Sequence, residues 1–248
     1  MILRQRHFKQ MTARWLPFAD AASEGLPLGQ ILRLSLFEVS VGMAMVLLLG
    51  MLNRVMIVEL SVPSAIVASM IALPVLVAPF RALLGFRSDT HRSAIGWKRV
   101  PYLWFGSLWQ MGGLALMPFA LLVLGGDVVH HIPFAGEVLA ALAFVMTGLG
   151  MHMTQTAGLA LASDRASVET RPRVVALLYV MYLIGMAMAG SFGPGLVTNA
   201  FGYSFVYHLE IGLLFLTLIV LGPLVRLGTL DTASDTGPAR IGIAEFPT

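Results

Sequence analysis

The chain has 248 residues, of which 57% are hydrophobic and only 12% are charged, and its mean hydropathy is +0.82. In soluble domains about a quarter of the residues are charged, so a chain this apolar could not cover its own surface in water. The composition therefore predicts an integral membrane protein. The absence of cysteine excludes a disulfide framework and a thiolate metal site.

The first 35 residues are predicted to form a cytoplasmic N-terminal segment. They are mixed and polar and lack the apolar core of a cleavable signal peptide. Two interpretations of the stretch from Trp15 to Glu24 stay open. It forms either a short interfacial helix with basic neighbours or a flexible tail.

Six apolar segments follow, and together they predict a transmembrane domain over residues 36–225. Each has about the 20 apolar residues that a helix needs to cross a bilayer, and the runs are too continuous for barrel strands. They cover residues 36–55, 63–84, 100–124, 134–161, 174–191 and 203–225. The tail, residues 226–248, is predicted to be cytoplasmic and disordered. The prediction is an all-α membrane protein with six transmembrane helices.

The distribution of lysine and arginine predicts the orientation. Fifteen of the sixteen cations fall on one side of this arrangement, and Arg54 alone falls on the other. Because cytoplasmic loops carry the excess of cations, both termini are predicted to be cytoplasmic. The densest group is the loop from Arg81 to Arg99. The net charge of +3 is explained by these loops, so no nucleic-acid partner is expected. Membrane lipid is the expected partner of these cationic loops.

Carboxylates inside a span are costly and usually face a cavity or a partner. Glu38 and Glu137 lie near span ends, where they could simply reach the interface. Glu210 lies about a third of the way into the sixth segment, where a functional role is as plausible as a structural one. Nothing in the sequence favours an enzyme, since no phosphate-binding loop, dinucleotide fingerprint or catalytic carboxylate pair is present.

A polar stripe runs through the fourth segment. His152, Gln155 and Thr156 are spaced i, i+3 and i+4 and therefore share one helix face. One interpretation is hydrogen bonding between helices. The other is a pigment site in which a neutral imidazole ligates a metal centre such as the magnesium of a chlorin. His208 is a second candidate ligand. No His and carboxylate group has the spacing of a zinc site.

The basic loop resembles the loop between helices two and three of the major facilitator superfamily. In that superfamily a glycine permits a tight turn, an aspartate caps or pairs with a neighbouring helix end, and basic residues hold the cytoplasmic gate. The matching residues here are Gly85, Asp89, Arg92, Gly96, Lys98 and Arg99.

Longer stretches are more specific. LNRVMIVELSVPSAIV, APFRALLGFRSDTHRSAIGWKRVPYLWFG, TQTAGLALASD and ETRPRVVALLYVMYLIGM resemble the PucC/LhaA family of the major facilitator superfamily. The resemblance implies an assembly factor that brings bacteriochlorophyll to light-harvesting antenna polypeptides, with the reaction-centre complex as a further partner. It also implies a location in the bacterial inner, photosynthetic intracytoplasmic membrane.

The chain departs from that family in its number of spans, because the family normally has twelve. Residues 202–226 look like the family's final span, so the first five helices are joined to the last, with a seam near residues 186–201. Either the gene has an internal deletion or the sequence omits a middle section. The expected result is a partial major-facilitator-like bundle. Two other functions stay open: a secondary transporter, and a structural subunit of a photosynthetic complex.

Overall fold

The computed structural model describes residues 18–23, 26–91, 98–126, 132–196, 208–209, 211–216 and 219. Within them all regular structure is helical, and five segments are long and apolar enough to cross a membrane. We number these spans 1 to 5: Leu28–Glu59, Ser64–Thr90, Val100–Leu124, Ala135–Arg165 and Arg171–Ser191. The predicted all-α membrane fold is confirmed. Most of the sixth segment, the end of the seam (residues 197–201) and the C-terminal tail lie outside the described residues.

Span 1 begins at Leu28 rather than at the predicted residue 36. It consists of two α-helices, Leu28–Leu34 and Leu36–Val46, followed by two π-helical segments, Leu47–Leu52 and Val55–Glu59. Pro27 stands directly before its first turn, where a proline costs the helix no hydrogen bond. Upstream, the described part of the stretch that could form an interfacial helix, residues 18–23, contains the 3-10 turn Ala19–Ala21.

Span 2 is divided by a proline. Its two helices are Ser64–Leu76 and Phe80–Thr90. Pro79 has no N–H to donate to the carbonyl of Val75, and that carbonyl accepts from the Ala78 N–H at 3.1 Å instead. The helix after the break runs on to Thr90, so the prediction of a loop from Arg81 to Arg99 is wrong for residues 81–90. Polar side chains alone do not end a helix that extends beyond the apolar layer.

Spans 3 and 4 approach each other closely through glycines. A Cβ atom added to Gly150 would lie 2.7 Å from both the Cα of Gln110 and the carbonyl oxygen of Gly106. A Cβ atom at Gly113 would overlap Thr147 in the same way. Small residues at these positions let two backbones pack at a distance that larger side chains would prevent.

Span 5 packs against span 1 in the same manner, because a Cβ at Gly185 would overlap the Val39 carbonyl and one at Gly42 the Tyr182 carbonyl. Span 2 is peripheral. Only 11% of the most apolar 18-residue stretch of span 2 is buried, compared with 44% of the corresponding stretches of spans 1 and 4. Its inner face meets span 4, and this contact builds the site.

Candidate functional site

Glu38 is a buried carboxylate at the centre of the site. It lies in the helix Leu36–Val46, and only 1% of its surface is exposed. The Gln155 Nε2 group of span 4 donates to Glu38 Oε2 at 3.4 Å. Glu38 therefore faces a neighbouring helix, and it does not reach the interface, which was the alternative that the sequence left open.

Arg81 joins the same group from span 2. Its Nη2 donates to Gln155 Oε1 at 3.0 Å, and its Nε donates to Thr156 Oγ1 at 3.3 Å. Glu38, Arg81, Gln155 and Thr156, which we call the polar cluster, thus connect spans 1, 2 and 4. A Cβ atom at Gly85, one turn after Arg81, would make only an ordinary contact with the Thr156 methyl group, at 3.7 Å. Gly85 lies inside a helix and not in a tight turn.

The polar cluster lies inside the apolar layer. Glu38 is ten residues from the start of span 1, Arg81 nine from the end of span 2 and Gln155 ten from the end of span 4. At about 1.5 Å per residue, all three lie roughly 13–15 Å from these helix ends. Span 4 is about 46 Å long, so a hydrocarbon core of about 30 Å leaves about 8 Å beyond it at each end. The cluster is then about 5–7 Å inside the core.

His152 lies on the same face of span 4, one turn before Gln155, and it also contacts span 2. Its Nε2 is 2.9 Å from the carbonyl oxygen of Pro74. Since a carbonyl only accepts, Nε2 carries the hydrogen, and Nδ1 of the neutral ring keeps its lone pair. The N–H four residues after Pro74, that of Ala78, bonds Val75 instead, so His152 satisfies a carbonyl that the proline break leaves open.

The other sequence candidates are placed less completely. His208 is exposed on a short helical stretch, while Glu210, Arg92 and Gly96 lie outside the described residues. Arg81 is the residue of the cluster that sequence reasoning missed as a site residue, because it was assigned to the basic loop. Its position within the predicted second segment, residues 63–84, was the available signal.

The loop motif forms an ion-pair group at the basic ends of three spans. Arg99, at the start of span 3, binds Asp89 of span 2 and Asp164 of span 4, each at 2.5 Å. A second bond from Arg99 Nη2 to Asp164 Oδ1 at 3.2 Å makes the latter pair bidentate. Lys98 beside it is exposed. Arg173 of span 5 pairs at 3.3 Å with Asp20, which precedes span 1, and Arg171 Nε donates to the Ser163 carbonyl of span 4 at 3.0 Å. The basic ends of spans 2 to 5 therefore meet on one side of the bundle.

No group of three or more metal-ligating side chains occurs among the described residues. The fold and the polar cluster define a multi-pass α-helical membrane protein in which charged and amide side chains connect three spans within the apolar layer.

The chain belongs to the PucC family. The family model described as PUCC protein matches residues 51–199. The chain is 71% identical over 189 residues to a Rhodobacter capsulatus protein named "Uncharacterized protein in puhA-bchM intergenic region", covering 76% of this chain and 40% of that protein. It is 61% identical over 178 residues to Protein PucC of Rhodovulum sulfidophilum, covering 71% of this chain and 39% of that protein.

A more distant relative is the "Bacteriochlorophyll synthase 44.5 kDa chain" of Rhodobacter capsulatus. It is 30% identical over 168 residues, covering 66% of this chain and 36% of that protein. The chain thus spans about 40% of the length of the curated relatives it matches. No solved structure matches the chain. These relatives fit a photosynthesis-related membrane protein.

Proposed function

We propose that the chain is a non-catalytic assembly factor for photosynthetic light-harvesting complexes, and that it binds or delivers bacteriochlorophyll to antenna polypeptides. Membership of the PucC family carries this proposal. The relative whose name contains bacteriochlorophyll synthase adds a link to pigment. Antenna polypeptides and the reaction-centre complex are the partners that the proposal includes.

The residues present fit a magnesium chlorin. Magnesium in such a ring takes a neutral imidazole nitrogen as a ligand. The Nδ1 of His152 keeps its lone pair, since Nε2 is occupied by the Pro74 carbonyl. His152 would therefore hold the metal through Nδ1, and the Pro74 bond would fix the tautomer and the ring orientation, as second-shell acceptors do for metal-bound histidines. When bound, the pigment supplies a flat apolar ring with a Lewis-acidic metal at its centre.

The proposed location is the bacterial inner, photosynthetic intracytoplasmic membrane, with the basic side of the bundle in the cytoplasm. The ion pairs of Arg99 and the hydrogen bond from Arg171 to the Ser163 carbonyl support this orientation, because they bring the basic ends of spans 2 to 5 together on one side. We also propose that residues 202–226 correspond to the family's final span and that the bundle is part of a major-facilitator-like fold. The short coverage of the relatives is compatible with both.

Purification from pigmented membranes tests the function. The full chain, tagged and extracted in mild detergent, is expected to carry bacteriochlorophyll absorbance and to co-purify with antenna polypeptides. A chain that carries neither contradicts the proposal. Stable one-to-one presence in mature complexes would indicate a structural subunit instead.

His152→Ala tests the ligand. It is expected to abolish the absorbance, while His91→Ala retains it, because His91 lies at the basic end, where its ring packs against Tyr102 at 5.6 Å. Size-exclusion chromatography must show both variants to be folded. Retained absorbance in a folded His152→Ala variant would remove His152 from the site.

A secondary transporter is the second candidate, and the buried Glu38 is the observation that favours it. Proton-coupled uptake into vesicles that is lost in Glu38→Gln would support transport. Wild-type vesicles without such uptake would argue against it.

A further inference from the structure

Arg81 has more hydrogen-bond donors than the polar cluster uses. A guanidinium group carries five N–H donors. One on Nε goes to Thr156 and one on Nη2 goes to Gln155, which leaves three. Among the described residues none of these three has an acceptor, and Arg81 is partly buried.

Unused donors are costly at this depth. Water is scarce in the apolar layer, and an unpaired polar group there costs several kcal/mol, by an order-of-magnitude estimate. The accessible edge of the Arg81 guanidinium is therefore expected to meet a hydrogen-bond acceptor.

Arg81 is already connected to an acidic side chain through Gln155. Gln155 accepts from Arg81 through Oε1 and donates to Glu38 through Nε2, and only this orientation of the amide satisfies both neighbours. Gln155 thus connects the guanidinium to the buried carboxylate. An acceptor that completes Arg81 need not be an anion, so a neutral carbonyl group suffices.

The acceptor would lie close to His152. Arg81 binds Gln155 and Thr156, which are three and four residues after His152, and side chains at these spacings are neighbours on a helix, with Cβ atoms about 5–6 Å apart. A metal ligand and a hydrogen-bond donor thus stand side by side on the face between spans 2 and 4. Next to them the helix of Arg81 exposes apolar surface at Phe80 and Leu83, which are 54% and 59% exposed.

From this arrangement we infer that Arg81 donates a hydrogen bond to a peripheral keto carbonyl of the magnesium chlorin whose metal His152 holds. The inference rests on the proposed function. It assigns Arg81 a positioning role: the metal ligand fixes the centre of the ring, and the guanidinium fixes its rotation. It also accounts for a cation that the chain keeps inside the membrane, where ionisable groups are rare and costly.

Vibrational spectroscopy of the carbonyl tests the inference. In the full-length wild-type chain loaded with bacteriochlorophyll in detergent, the keto stretch is expected at the lowered frequency of a hydrogen-bonded carbonyl. In Arg81→Gln it should return to the frequency of a free carbonyl. The affinity should fall about tenfold or more, the loss expected for one hydrogen bond to a charged donor. Arg87→Gln is the matched control, since Arg87 is exposed six residues later on the same helix, and it should change neither value.

A pigment variant keeps the test independent of the folding of Arg81→Gln. Bacteriochlorophyll in which an alkyl group replaces the keto carbonyl should bind the wild-type chain about tenfold more weakly than the natural pigment. Equal binding of the two pigments overturns the inference, and so does a free carbonyl in the loaded wild-type chain. A phospholipid phosphate bound to Arg81 in place of the keto carbonyl would also overturn the inference. A wild-type chain that binds no bacteriochlorophyll at all contradicts the proposed function itself.

Discussion

The contact between spans 3 and 4 at Gly150 gives a sharp test of the packing. In Gly150→Ala the new methyl group would start 2.7 Å from the Gln110 Cα and the Gly106 carbonyl, whereas ordinary contact begins near 3.4 Å. The Gln110 backbone nitrogen would lie closer still, so the two backbones must separate by more than the roughly 0.7 Å that these two contacts alone require. Overpacking of this kind costs about 1–3 kcal/mol, while alanine gains about 1 kcal/mol over glycine in a helix interior. The expected net loss is therefore up to about 2 kcal/mol.

Gly190→Ala is the matched control, because no atom lies within 4 Å of its added Cβ. It gains the same helix propensity without the overlap, so it should be more stable than wild type by up to about 1 kcal/mol. Reversible unfolding in mixed micelles, followed by tryptophan fluorescence, measures both free energies. Equal stability of Gly150→Ala and Gly190→Ala would refute the close approach of spans 3 and 4.

Three further sets of variants test the polar cluster, the basic ends and the packing of span 1. Glu38→Gln and Arg81→Gln should each destabilise the fold, and the double variant should lose about 0.5–3 kcal/mol less than their sum, since both act through Gln155; strict additivity would contradict the connection. Arg99→Gln should cost about 1 kcal/mol or less for each ion pair, since both aspartates are more than half exposed. That loss should shrink at about 1 M salt, and a salt-independent loss would argue against the ion pairs. Gly158→Ala should destabilise the fold because its methyl group would overlap the Phe37 ring. Phe37→Leu should recover part of this loss, and thermal unfolding that shows no recovery would argue against the contact.

The fold class followed from the sequence because a bilayer imposes a simple requirement. A run of about 20 apolar residues has few alternatives to a transmembrane helix. The helix boundaries were harder to predict from the sequence, since apolarity marks where lipid begins and not where a helix ends. For that reason the loop was predicted to begin at Arg81, although the helix continues to Thr90. The family could also be predicted from the sequence, and the match of the PucC family model over residues 51–199 confirms that prediction.

The sequence by itself determined that His152, Gln155 and Thr156 share a face, because their spacing matches the helical period. Only the tertiary structure decided what that face meets. The partners of Gln155 are Glu38, which is 117 positions away, and Arg81, which is 74 positions away. Helical period relates neighbours on one helix, whereas the choice between helices depends on close contacts such as those at Gly42, Gly150 and Gly185. The tertiary structure therefore places Arg81, which the sequence assigned to a cytoplasmic loop, in an intramembrane polar cluster.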